Sequence, residues 1–132
     1  MVVVGWRDMM EAGLYSAVAP LMLLLLSSVW RYPAVLEEVI KWLILKWTMD
    51  DGRRTMSGAV VGLVFGLSEA VLYTMNSWQS GEWGAMLLRL ALTVPMHAIT
   101  GATIAWGIKN RIGWVGLILA MAIHGGFNYQ MS

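Results

Sequence analysis

The sequence predicts an all-α fold: a polytopic membrane bundle of about five transmembrane helices, with a polar site buried between the second and the fifth. Three observations predict it. Apolar residues make up 58% of the 132-residue chain and charged residues only 13%, against roughly 45–50% and 25% in soluble domains. The apolar residues gather into long runs separated by short polar or glycine- and proline-bearing stretches, as spanning helices require. Of the 8 tryptophans, Trp6, Trp30, Trp47, Trp78, Trp83, Trp106 and Trp114 all fall near the ends of those runs, and only Trp42 lies well inside one. Aromatic belts at the two membrane–water interfaces have that placement.

The length suits one domain, residues 1–132. A net charge of +1 without a basic run argues against nucleic acid. With no cysteine, disulfides and thiolate chemistry are excluded.

The first helix is expected over residues 9–30, centred on Leu21-Met22-Leu23-Leu24-Leu25-Leu26 and bent at Pro20. A cleaved signal peptide is the competing reading. Arg7 is offset by Asp8 and Glu11, and no small-x-small site precedes Trp30-Arg31-Tyr32, so a retained helix is preferred.

Arg31-Tyr32-Pro33 reads as a tight turn, with Pro33 suited to open the second helix over 33–49. Its first two turns carry Glu37-Glu38-Val39-Ile40-Lys41. The four- and three-residue spacings let both carboxylates reach the ammonium. Residues 49–54 are the most polar stretch and read as a loop.

The third helix is expected over 55–76. Gly58, Gly62, Gly66 and Ala70 recur every fourth residue, a row that lets helix backbones approach closely in lipid. Glu69 then faces the bundle interior. Residues 77–83 read as a loop, and the fourth helix as 84–108. Pro95 stands two residues before His97 and is expected to free a carbonyl there. Gly101 and Ala105 extend a small-residue stripe on the side of His97. Lys109-Asn110-Arg111 is a short basic loop, and the fifth helix spans 112–129, with His124 and Asn128 one turn apart and Gly125 and Gly126 beside them.

Loop charge sets the orientation. Arg7, Lys46, Arg53, Arg54, Lys109 and Arg111 fall on the side of the N-terminus, Arg31 and Arg89 on the other. The positive-inside rule puts the N-terminus in the cytoplasm and the C-terminus outside. Lys46 is expected to snorkel; Arg89 either snorkels or pairs with a carboxylate.

At about 1.5 Å per residue, Glu69 lies roughly 21 Å, His97 roughly 20 Å and His124 roughly 18 Å from the starts of their helices, and Glu37 and Glu38 within about two turns of the outer end. The depths overlap in the middle-to-outer half of a core of about 30 Å. Ionisable residues at such depth are functional-site candidates by default.

Two histidines and up to three carboxylates make a plausible metal site, for which imidazole and carboxylate suit Zn²⁺ with one position open to water. The bound water could then attack a carbonyl, with one carboxylate as general base and Asn128 donating to the oxyanion. A metal-free version is coherent too: a glutamate activates water and the histidines orient it. A rival is non-enzymatic, a proton or ion relay or a scaffold of paired charges.

These residues resemble the PrsW-type intramembrane proteases. Glu37-Glu38-Val39-Ile40-Lys41 looks like their EExxK motif and Phe65-Gly66-Leu67-Ser68-Glu69 their FxxxE motif. His97 within Pro95-Met96-His97-Ala98 resembles the third motif, and His124-Gly125-Gly126-Phe127-Asn128 the fourth, HxxxN. The related CAAX prenyl-protease and bacteriocin-processing group has EExxxR first and histidine where this chain has Glu69. The lysine spacing and Glu69 favour the PrsW branch. Two departures stand out: Ala70 replaces the asparagine usual after the second-motif glutamate, and the chain is short, so that substrate gating differs or needs a second copy.

The resemblance implies a multi-pass protein of a prokaryotic cell membrane that cleaves membrane-protein substrates, such as an anti-sigma factor, within or near the bilayer. It implies a site of Glu37, Glu38, Glu69, His97, His124 and Asn128. Glu37, Glu38 and Asn128 are assigned to catalysis, and Glu69, His97 and His124 to zinc. Which carboxylate ligates and which acts as base stays open.

Overall fold

A computed structural model describes residues 6–27, 32–48, 54–81 and 83–131. They form five α-helices: α1 Trp6–Ser27, α2 Pro33–Thr48, α3 Arg54–Ser80, α4 Trp83–Lys109 and α5 Gly113–Met131. No strand occurs among the described residues. Trp30, Arg31 and the polar stretch 49–53, which the sequence reading used for belt, topology and loop, lie outside them.

Helix order and number follow the sequence. α3 does not stop at 76: it runs to Ser80, and the expected loop 77–83 shrinks to a turn at Gly81, whose φ of 75° suits glycine. Trp78 and Trp83 flank that turn and stack edge-to-face, centroids 4.9 Å apart at 78°, which closes the hairpin tightly. Pro33 opens α2, with the Val35 amide donating to the Tyr32 carbonyl at 3.1 Å. The basic turn 109–111 caps α4. Arg111 adopts φ 61°, and the Ile112 amide donates to the Gly107 carbonyl at 2.9 Å, a left-handed C-cap. Both α1 and α4 run on through their prolines.

α3 and α4 form the most extensive pair. The glycine row is the reason. A Cβ at Gly58 would overlap the Gly101 carbonyl, one at Gly62 the His97 carbonyl, and one at Gly66 would crowd the His97 ring. Bare backbone against bare backbone gives the close contact that drives helix pairing without a hydrophobic effect. The row also fixes where His97 sits. Gly107 against Gly116 does the same for α4 and α5.

α2 touches the other four helices, while α1 and α5 make no close backbone contact among the described residues. α1 packs on α3 and α2 and joins the common core through Ala12, Ala19 and Leu23, and the Ser68 hydroxyl donates to the Ala17 carbonyl.

The interior joins an apolar core, with Leu45, Val61, Phe65 and Ile104 at its centre, to a polar cluster, and large apolar side chains line the surface. Glu38, Lys41, His97, Thr100 and Ser16 are fully buried and His124 nearly so. Leucines, isoleucines, valines and tryptophans face outward on all five helices, among them Leu14, Trp47, Val71, Leu87 and Ile118. Of the seven end-placed tryptophans, the six within the described residues are all exposed. Residues Met56–Met75 and Met86–Lys109 are long and apolar enough to cross a membrane. A five-span bundle was expected; by length and composition these two segments qualify among the described residues, α2 being only 16 residues long, α5 carrying His124, Asn128 and Gln130, and α1 opening on Arg7, Asp8 and Glu11.

Candidate active site

The site is assembled around the first two turns of α2. Glu37, Glu38 and Lys41 enter the space between α3, α4 and α5. The Lys41 ammonium sits at its centre. It donates to Glu38 Oε1 at 2.6 Å, to His97 Nδ1 at 2.7 Å and to Thr100 Oγ1 at 3.0 Å. Three donors meet three acceptors, so the charged form is fully satisfied. The Phe65 ring, 4.9 Å from Nζ, closes the cage.

The tautomers follow from these partners. Nδ1 of His97 accepts from Lys41, so its proton is on Nε2, which donates to Glu69 Oε2. His124 Nδ1 faces Glu38 Oε1 at 2.7 Å; a carboxylate accepts, so Nδ1 carries the proton and Nε2 presents a lone pair. The two rings stand edge-to-face, centroids 4.9 Å apart at 86°.

Glu37 Oε2 is buried and, like Glu38 Oε2, has no hydrogen-bond partner among the described residues; unlike Glu38, whose Oε1 is held by Lys41 and His124, Glu37 borders the groove. It lies 3.7 Å from His124 Nε2 and 4.0 Å from His97 Nε2. A buried carboxylate oxygen without a donor is costly, and such exceptions mark places built for something else.

Glu37, His97 and His124 could hold a metal ion, since one ligand atom from each lies within 4.8 Å of the others. The set differs from the expected one: Glu69 is engaged on His97, and Glu37 stands in its place. The fit has a condition. His124 Nε2 and Glu37 Oε2 are free to ligate, but His97 Nε2 must first lose its proton and its bond to Glu69. A catalytic zinc takes three protein ligands, and the hydrogen bonds as they stand leave two.

Two cavities meet at this cluster. A groove of about 620 Å³ between α1, α2 and α3 has apolar walls, including Pro20, Leu23, Leu36, Phe65 and Leu72, and a polar end at Glu37, Glu69, Tyr73 and Asn128. A hollow of about 150 Å³ lies beyond Glu69, lined by Tyr73, Arg89, Thr93, His124 and Asn128 among others. Asn128 is exposed and borders both.

All six sequence-assigned residues therefore converge: Glu37, Glu38, His97 and His124 buried at the centre, Glu69 and Asn128 at the mouth of the groove. Sequence reasoning missed Thr100 as a partner of Lys41; its place one turn after His97 was the available signal. It also missed Tyr73, one turn after Glu69. No family model, curated protein or solved structure matches the chain.

Proposed function

We propose that the protein is an intramembrane endopeptidase that hydrolyses a peptide bond of a membrane-protein substrate, with Glu37 as the general base. The observation that carries this is the unpartnered Glu37 Oε2 facing the His124 lone pair at 3.7 Å, at the end of an open groove. A water held between them donates one hydrogen to each, which leaves its own lone pair free to attack. Glu38 fixes the His124 tautomer, and Lys41 with Glu69 fixes that of His97. The Asn128 amide is a donor at the rim, suited to a developing oxyanion. Were zinc held by Glu37, His97 and His124, in exchange for the His97–Glu69 bond, Glu37 would be a ligand and not the base, and the ion would supply a water ionised near neutral pH.

The bundle sits in the cell membrane with all five helices in contact with lipid, the N-terminus cytoplasmic and the C-terminus outside. What supports this is the row of large apolar side chains exposed on all five helices, where a soluble monomer keeps its contiguous apolar patches small, together with the belt of exposed tryptophans. The substrate is a transmembrane protein segment, of the kind an anti-sigma factor offers, unwound beside Glu37; a second copy of the chain would serve as part of its gate.

The test is proteoliposomes of the purified protein given a library of single-span peptides, with products read by mass spectrometry and proton flux recorded in the same vesicles. Cleavage products that need the protein are expected. Proton leak without products would favour a relay and sink the peptidase.

A further inference from the structure

The hollow beyond Glu69 has a cation that the hydrolytic chemistry does not use. Arg89 lines it, with its guanidinium carbon 5.3 Å from the centre of the Tyr73 ring. Stacking on the ring holds the group over the hollow. Arg89 lies six residues after Trp83, the first residue of α4, about 9 Å along the helix. No carboxylate pairs with it among the described residues. Its side chain is exposed, open to a ligand entering the hollow.

The Thr93 hydroxyl, the Tyr73 phenol and the Asn128 amide line the hollow with it, and each can donate as well as accept. Glu69 is the exception, and its Oε2 is taken up by His97. Glu69, Tyr73 and Asn128 belong to both cavities. An extended chain crossing Glu37 and His124 thus has one flank in the apolar groove and the other at Arg89.

We infer that Arg89 marks a carboxylate subsite, so that the preferred substrate is a peptide with apolar residues on one side of the cut bond and an acidic group close to it on the other. This rests on the peptidase reading. A carboxylate matches the guanidinium fork with two parallel hydrogen bonds. It comes from an aspartate or glutamate side chain or from the chain's own C-terminus.

The probes are leucine–alanine peptides of about ten residues with one glutamate at each position in turn. Each is compared with its glutamine twin, and each is made as free acid and as amide. Cleavage is measured with the wild type and Arg89→Gln, and binding with the same pair on a Glu37→Gln background, in proteoliposomes. A charge-assisted pair supports a preference of roughly tenfold or more for the acidic peptide. Arg89→Gln should reduce it to within about twofold, through KM and not kcat, and Arg89→Glu should turn it toward a lysine peptide. Dependence on glutamate position identifies a side chain; dependence on free acid over amide identifies the terminus. Cleavage without acidic preference, or a preference that survives Arg89→Gln, overturns the subsite and leaves the peptidase standing. Arg89-dependent binding with no cleavage does the opposite. Absence of binding to every peptide overturns the subsite.

Discussion

Lys41 Nζ donates to Nδ1 of His97 at 2.7 Å, across 56 residues of sequence, and this bond decides which nitrogen of His97 faces the site. Lys41 also satisfies Glu38, so removing it strands a buried carboxylate. Lys41→Met is expected to cost about 3–5 kcal/mol, as breaking a buried pair from one side does. Thermal unfolding in detergent reads this; an unchanged melting temperature would show that the ammonium is not the hub.

The proton on His97 Nε2 makes a statement about metal. Protein purified without added metal should carry well under one zinc per chain, and chelator should leave activity intact. Mass spectrometry of the metal content, wild type beside His97→Ala and His124→Ala, checks it. One zinc per chain, lost in both variants, would mean that Glu69 releases His97 and that the three-ligand site forms.

Glycines should differ sharply by position. Gly62→Leu drives a side chain into the His97 carbonyl and should dissociate α3 from α4, at a cost above the 1–3 kcal/mol of ordinary overpacking. Gly125→Ala and Gly126→Ala meet nothing within 4 Å and should be silent in the same stability assay. Equal effects would contradict the described α3–α4 contact.

Asn128→Ala should lower the cleavage rate by about 10²–10³, the scale of one lost oxyanion donor, with the melting temperature unchanged because the side chain is exposed. Cleavage at the wild-type rate would remove Asn128 from the reaction.

Much of this site could be read from the chain. Periodic apolar runs gave five helices in order, and Glu37, Glu38, Glu69, His97 and His124 stood out because charge is rare in such runs. What could not be read is who meets whom. The Glu37–Lys41 pair looked as good as Glu38–Lys41 on spacing, yet Lys41 chose Glu38 because His97 and Thr100 from α4 approach on that side. That choice left Glu37 unpartnered and put it, where Glu69 was expected, beside Nε2 of the two histidines. The end of α3 was misplaced by local chemistry: polar residues near 77–80 suggest a loop, and the Trp78–Trp83 stack overrides them.

The most direct measurement is the cleavage rate of Glu37→Gln in proteoliposomes against the wild type, with folding verified by thermal unfolding. The glutamine keeps the shape and cannot take a proton from water. A folded variant with its rate down by about 10²–10⁴, the usual contribution of a general base, is the predicted result. A folded variant that cleaves within tenfold of the wild type would show that Glu37 is not the base.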